Sequence, residues 1–325
     1  MKILLTHTPA SRRQYYGDRS LQGLQALGAV RLHDGDDALD SQGLIAAAED
    51  VEIIVADRMT EGRGEIFPLL PKLRAFVRCA VDIRNIDVSA ASAAGVLVTR
   101  ASPGFVPAVA ELALGFMVDF SRGISRATAD YHAGRKPEVM MGRQLAGSRI
   151  GIIGYGSIGR HLARLARALG MEVLVADPFV TLDDSDIQHV SLEELLGRVD
   201  YVVCLAVANA ATENLINATA LARMQPHAFF INLSRGNLVD EAALAAALRE
   251  NRIAGAAMDV GRAPDQMPSP ALARLPNVIA TPHIGGLTPQ AIEHQASETV
   301  RQVGLIVKGE VPTGAVNAEH WTRRP

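Results

Sequence analysis

The sequence predicts an α/β protein in which a doubly wound parallel sheet, the Rossmann arrangement, lies beside a smaller α/β layer. Three observations carry this. Residues 149–178 read as strand, glycine-rich turn, helix, strand and acid. Short apolar runs alternate with helical patterns on both sides of that stretch, as parallel strands joined by crossover helices require. The chain has 325 residues, 48% of them hydrophobic, which is enough for two domains with ample core.

Taken in order, residues 3–5 form a short apolar run and residues 20–27 have helical spacing that stops at Gly28. Strands are expected at 30–32, 52–56, 75–77 and 96–99, with helical segments at 44–48, 67–70 and 88–94 between them. This first layer has no glycine fingerprint. Residues 103–107 break the pattern with two prolines. A helix over 109–120 follows, apolar nearly all round, so it is expected to be buried between domains or against another subunit. Residues 134–147 read as a loop or arm rich in Arg, Met and Pro. Beyond the fingerprint, strands are expected at 201–205, 229–232, 255–259 and 278–280. Helical segments are expected at 192–196, 221–224 and 241–250. A final helix, 289–308, leads to a tail containing Val316 and Asn317.

Composition excludes several classes. A net charge of −3 offers no basic surface for nucleic acid, and no apolar run approaches the roughly 20 residues that span a bilayer. The start, M-K-I-L-L-T-H-T-P, is too short an apolar run for a signal peptide. Cys79 and Cys204 lie in apolar surroundings far apart and read as buried free thiols of a reducing compartment. A cytoplasmic protein without a metal, nucleic-acid partner or membrane is expected.

Within the fingerprint each residue type has a physical task. Gly154 lets the chain turn out of the strand, Gly156 lets backbone approach a pyrophosphate, and Gly159 lets the helix pack close to the sheet. The helix N-terminus offers N–H groups and a positive dipole end. Asp177, eighteen residues after Gly159, is placed to bond a ribose 2′-hydroxyl and repel a 2′-phosphate, which favours NAD over NADP.

Three loops follow the C-terminal ends of later strands, where open parallel sheets bind ligands. In I-N-L-S-R-G-N-L-V-D-E, Arg235 sits just past a strand, where a guanidinium can meet a carboxylate bidentately or simply cap the turn. In A-A-M-D-V, Asp259 can accept bonds from a nicotinamide carboxamide or cap a turn. In A-T-P-H-I-G-G, His283 occupies a tight turn at the ligand edge and reads as a proton donor. The other histidines have no such setting.

These stretches resemble the D-isomer-specific 2-hydroxyacid dehydrogenases. The resemblance covers about residues 73–317. It rests on L-R-A-F-V-R-C-A-V-D-I-R-N-I-D, P-A-V-A-E-L-A-L-G, G-I-I-G-Y-G-S-I-G, I-N-L-S-R-G-N-L-V-D-E-A-A-L, G-A-A-M-D-V and T-P-H-I-G-G, in the family's order. It implies an NAD-dependent enzyme, acting on a CH–OH group, that passes hydride between cofactor and C2 of a 2-hydroxyacid or 2-oxoacid. Arg235 would hold the carboxylate and His283 would give or take the proton. Gly154, Tyr155, Gly156, Ser157, Ile158 and Gly159 would surround the pyrophosphate, and Asp177 the adenosine ribose. Ala206, Val207, Ala208, Thr212, Leu233, Ser234, Asp259 and Gly285 would line the rest of the cofactor site. Ala80, Val81 and Asp82 would meet the substrate. The resemblance also implies a flavodoxin-like substrate domain made of residues 1–100 and 286–325, an NAD-binding domain over 101–285, and a homodimer served by the helix near 109–120.

Three departures from the family stand out. Its usual Glu, five residues after the Asp of the D-V motif, pairs with the histidine and raises its pKa. Here that position is Pro264, and the acid is Asp265, one residue later and one methylene shorter. Asp265 is expected to fill the role through a reshaped loop; the alternative is a plain turn residue. The substrate loop reads A-V-D-I-R-N-I-D, so that Asp82 either brings negative charge to the carboxylate-binding loop, repelling small acids or selecting a cationic or hydroxylated tail, or points into solvent and pairs with Arg84. The usual His-x-Pro becomes Ala206-Val207-Ala208. The displaced acid and altered loop support a second reading, a catalytically weak NAD(H)-binding sensor or scaffold on the same fold. A third, another nucleotide- or S-adenosylmethionine-using enzyme, is disfavoured by Arg235 and His283 in their motifs.

Overall fold

The computed structural model describes residues 1–182, 184–263 and 266–325. The chain divides into two compact units, Met1–Gly104 with Pro289–Pro325, and Phe105–Thr288.

The first unit holds five parallel strands: β1 (Lys2–Leu5), β2 (Ala29–Leu32), β3 (Ile53–Ala56), β4 (Ala75–Arg78) and β5 (Leu97–Arg100), in the order β2-β1-β3-β4-β5. This is the flavodoxin-like order. All four residues of β3 and of β4 are buried, because helices cover both faces of the sheet. One face packs Leu44, Ile66, Phe67 and Ala91; the other packs Leu24, Val303, Ile306 and Trp321. The C-terminal helix Pro289–Val307 therefore completes the core of the N-terminal sheet. The tail is sewn on by Asn317, which is 2% exposed. Its Oδ1 accepts the Val98 N–H at 2.8 Å and its Nδ2 donates to the Val96 carbonyl at 2.9 Å.

In the second unit, β6 (Arg149–Ile153), β7 (Glu172–Ala176), β8 (Ile187–His189), β9 (Tyr201–Cys204), β10 (Phe229–Asn232), β11 (Gly255–Met258) and β12 (Val278–Ala280) form a parallel sheet. Its order is β12-β11-β10-β9-β6-β7-β8. The order reverses at β6, so a crevice opens between the loops that leave β6 and β9. Helices Val106–Arg122 and Ser157–Ala168 cover one face, and Leu192–Leu196, Ala218–Arg223 and Glu241–Arg249 the other.

Some elements escape sequence patterning. Pro9–Tyr15 is helical although none of its residues is buried; Thr8 caps it through a bond from the Ser11 N–H, and Pro9 starts it. Ile124–His132 is a helix that ends just before the expected arm, and β8 is an edge strand of only three residues. The helix Val106–Arg122 buries Val109, Ala110, Ala113, Phe116 and Met117, but Glu111, Gly115 and Val118 stay exposed along one stripe. A helix expected to be buried between domains or against another subunit thus has one open face in the single chain. Both cysteines are buried and unbridged, and burial pushes each thiol up to about 12, so neither is a thiolate at neutral pH.

Replacing Asn317 by Leu should destabilise the chain by about 2–4 kcal/mol in urea unfolding, because two buried backbone groups lose their partners. A loss below about 0.5 kcal/mol would show that the tail docks without it.

Candidate active site

The loops at the C-terminal edge of the second sheet are positioned by backbone packed directly on backbone. Gly154 has φ +93°, and a Cβ there would stand 2.6 Å from the Ala206 nitrogen. A Cβ on Gly159 would stand 2.4 Å from the Gly154 carbonyl oxygen. The fold itself requires both glycines. Gly156 is different: its φ is −73°, ordinary for any residue, and a Cβ would meet nothing within 4 Å. Its missing side chain serves open space at the N-terminus of Ser157–Ala168. That helix has no side-chain cap and no acid in its first turn, so the arrangement fits a phosphate group.

Asp177 follows β7 and closes over the turn. Its Oδ2 accepts the Tyr155 N–H at 2.7 Å and its Oδ1 the Phe179 N–H at 3.0 Å. Its carboxylate therefore shapes the glycine loop as well as setting the charge beside it. Tyr155 is buried against the sheet beneath the Arg160 guanidinium, 4.7 Å from its ring centre. Ser157 and Ile158 lie in the first helical turn.

After β9, the Ala206 carbonyl accepts a bond from the Ser234 hydroxyl at 2.5 Å, and Thr212 donates to the Val207 carbonyl at 2.8 Å. Val207 is 77% exposed, while Ala208 is half-buried. Asn209 and Thr212 form a reciprocal cap that gives the loop its shape. With His-x-Pro absent, side chain-to-backbone bonds hold this segment.

Leu233 is buried after β10, and Arg235 is half-buried, its Nη1 donating to the Ser234 carbonyl at 2.7 Å. Two residues not singled out by sequence position it. Asn232, fully buried, accepts the Ser234 N–H at 3.1 Å and donates to the Arg235 carbonyl at 3.0 Å. Gly236 lies so near the next loop that a Cβ would stand 2.1 Å from the Gly261 carbonyl carbon. The Asn and Gly flanking this part of the motif were the available signal.

Asp259, 2% exposed, ends β11 with its carboxylate turned to the loop after β12. Oδ1 accepts the Thr281 hydroxyl at 2.6 Å and the Ile284 N–H at 2.8 Å; Oδ2 accepts the Gly285 N–H at 2.8 Å. Its contacts are those of a turn cap, and what it caps is the turn carrying His283. His283 is half-buried with φ +55°, a left-handed conformation costly for a residue with a Cβ. Gly285 belongs here because a Cβ would approach Asp259 Oδ2 to 3.0 Å. β10 and β12 flank β11, so Arg235 and His283 leave the same sheet edge from strands two places apart.

Pro264 and Asp265 lie outside the described residues. The stretch leading to them is pinned by Arg262, whose Nη2 reaches Glu213 Oε1 at 2.8 Å and the Asn237 carbonyl at 2.9 Å. In the first unit, Ala80 is buried, and its carbonyl accepts the Ala101 N–H at 3.0 Å; Val81 is half-buried. Asp82 receives Arg84 through both carboxylate oxygens, at 3.0 Å from Nε and 2.6 Å from Nη2. Asp82 therefore pairs with Arg84.

The family model described as D-isomer specific 2-hydroxyacid dehydrogenase, NAD binding domain, matches residues 114–285. Among curated proteins, the chain is 36% identical over 269 residues to an (S)-sulfolactate dehydrogenase of Chromohalobacter salexigens, covering 81% of this chain and 87% of that one. It is 31% identical over 299 residues to a D-3-phosphoglycerate dehydrogenase of Methanocaldococcus jannaschii; these residues cover 90% of this chain and only 56% of that longer protein. Among solved structures, the TT0316 protein of Thermus thermophilus superposes with TM-score 0.86 at 28% identity, covering 97% of this chain and 100% of that one. A D-2-hydroxyisocaproate dehydrogenase shares the fold with TM-score 0.87 at 24% identity, covering 98% and 100% of the two chains.

Gly154→Ala should destabilise the protein without ligand by about 2 kcal/mol or more, since both its φ and its contacts exclude a Cβ. Gly156→Ala should leave that stability within about 0.5 kcal/mol yet weaken NADH binding roughly tenfold or more in a fluorescence titration. Equal effects of the two on stability would remove the distinction.

Proposed function

The chain belongs to the D-isomer-specific 2-hydroxyacid dehydrogenases, NAD-dependent enzymes that transfer hydride, and we propose that Arg235 and His283 carry its reaction on a small 2-hydroxyacid or 2-oxoacid. The observation that supports this reading most is the His283 turn. Asp259 holds an ionisable side chain in a strained backbone conformation at the ligand edge, two strands from an arginine.

In this reading the Arg235 guanidinium pairs with the substrate carboxylate and draws electron density from the 2-oxo group. His283 gives a proton to the carbonyl oxygen as it becomes an alkoxide, or removes the hydroxyl proton in the oxidative direction. NAD, when bound, supplies or accepts the hydride at C2. The residues fit it: the uncapped helix at Ser157 and Ile158 would hold the pyrophosphate, Asp177 the ribose, and Ala206–Ala208, Thr212, Leu233 and Ser234 the remaining surface. Asp259 and Gly285 would serve the site by holding the turn. Asp265 would keep His283 protonated at higher pH. In the first unit, backbone at Ala80 and Val81 is assigned to the substrate carboxylate. The Asp82–Arg84 pair neutralises the extra acid there, so we assign it to shaping the loop.

A homodimer in the cytoplasm completes the reading. Support for the dimer comes from the open stripe of Glu111, Gly115 and Val118 on an otherwise packed helix. Nearby in sequence, Tyr131, Val139 and Met141 are exposed by 69%, 94% and 98%. Light scattering should give twice the chain mass, and Met141→Glu together with Tyr131→Glu should shift it toward one chain; a monomeric wild type would sink this.

Purified protein with NADH and a panel of 2-oxoacids, including glyoxylate, hydroxypyruvate, pyruvate, phenylpyruvate and 2-oxoisocaproate, should oxidise NADH. His283→Ala should lower kcat by about 10²–10⁴. Arg235→Ala should chiefly raise KM. Asp265→Asn should move the pH optimum of reduction downward: without its anion the imidazolium is less stable, so the proton donor is lost at lower pH. NADH binding with no turnover across a broad panel would overturn the proposal, and an unchanged pH profile would remove Asp265 from it.

A further inference from the structure

A buried cation lies beneath the loop assigned to substrate. Arg78 ends β4 with 0% exposure. Its Nη1 donates to the Asp57 carbonyl, and its Nη2 donates to the Thr60 carbonyl at 2.8 Å and to Asn85 Oδ1 at 2.8 Å. Asp57 and Thr60 belong to the loop after β3, and Asn85 to the loop after β4. Asn85 returns the link, donating from Nδ2 to the Arg58 carbonyl at 3.2 Å, and its own carbonyl accepts the Gly62 N–H at 2.9 Å. One guanidinium therefore fastens two ligand-edge loops from inside the unit.

Its charge is not answered by a contacting acid. Among the described residues no carboxylate lies within ion-pair distance of Arg78, and its Nε meets no acceptor. The carboxylates whose charge acts on it most are Asp57 and Asp82. Asp57 spends Oδ1 on the Met59 and Thr60 N–H groups, at 2.8 and 3.0 Å. Asp82 is occupied by Arg84. Burial draws Arg78 down to about 10, which still leaves it charged at neutral pH. Neighbouring His7 is equally buried and drawn down to about 4 by desolvation, so it is neutral and contributes no competing charge. A buried charge is costly unless something else needs it. An anion cradled by the backbone at residues 80–82 would be such a partner, at the distance over which Asp82 is already felt.

We propose that Arg78 is the positioning residue of the carboxylate-recognition loop: it holds the loops after β3 and β4 in register and gives the cradle at residues 80–82 a positive field. This rests on the assignment of that loop to the substrate carboxylate. Lysine retains the charge but cannot reach three acceptors on two loops at once.

The test uses the full chain, comparing wild type with Arg78→Lys and Asn85→Ala. The substrate is whichever 2-oxoacid of the panel wild type reduces best, and NADH affinity is measured separately by fluorescence. Arg78→Lys should raise KM about tenfold or more and Asn85→Ala about threefold or more, with kcat within about threefold and NADH affinity unchanged. KM within about twofold of wild type in both variants overturns the proposal. So does a joint fall in kcat and NADH affinity, which marks general disruption. Asn85 is exposed and outside the core, so if Arg78→Lys fails to fold, Asn85→Ala decides. No turnover by wild type removes the underlying assignment, and this proposal with it. Turnover with unchanged KM removes this proposal alone.

Discussion

The second unit depends on one buried carboxylate. Asp259 has almost no exposure, yet three donors from residues 281–285 converge on it, and its own N–H bonds the Asn232 carbonyl at 3.2 Å. Hydrogen bonds to a charged group contribute about 1.5–3 kcal/mol each, and a left-handed non-glycine residue costs of order 1–3 kcal/mol. Three such bonds outweigh that strain, so the turn at His283 stays where an isolated peptide would not hold it. The same residue ties the end of β11 to Asn232 at the end of β10, beside the loop that carries Arg235. Arg235 and His283, the two side chains proposed to act, thus share one anchor.

The first unit solves the matching problem with opposite charge. Arg78 points inward and binds carbonyl and amide oxygens where Asp259 binds N–H and hydroxyl groups. In both units a buried ion organises loops at the C-terminal edge of a parallel sheet. The compensation differs. Asp259 is met by charge-assisted bonds on both oxygens, whereas among the described residues Arg78 keeps one N–H without an acceptor and no acid in contact. A charge of that kind is a cost to folding that a bound anion would offset.

Much of this was legible in the chain. The glycine turn, both flanking strands and Asp177 announce a dinucleotide site because each residue type there answers a local steric or electrostatic need. The apolar runs of β3, β4, β9 and β10 are buried on every residue, as runs without alternation suggest. Less legible were elements without an apolar period. Pro9–Tyr15 exists through its cap, and β8 through pairing with β7. Asn232, Gly236 and Arg262 carried little signal because their partners are brought to them by loop packing.

Fold class, cofactor and family could all be read from the chain before any contact was known, since they rest on short-range patterns of period, turn chemistry and motif order. The same patterns put Arg235 and His283 at strand ends. The capping contacts of Asp259 needed the folded chain, because its donors lie 22 to 26 residues away. The pairing of Asp82 with Arg84 and the inward course of Arg78 needed it too. Within the fingerprint, packing separates Gly154 and Gly159, which backbone contacts at 2.6 and 2.4 Å make obligatory, from Gly156, whose missing side chain faces open space and so answers to a ligand. Periodicity reports which face of an element is buried. Which polar group meets which depends on loops brought together by the sheet.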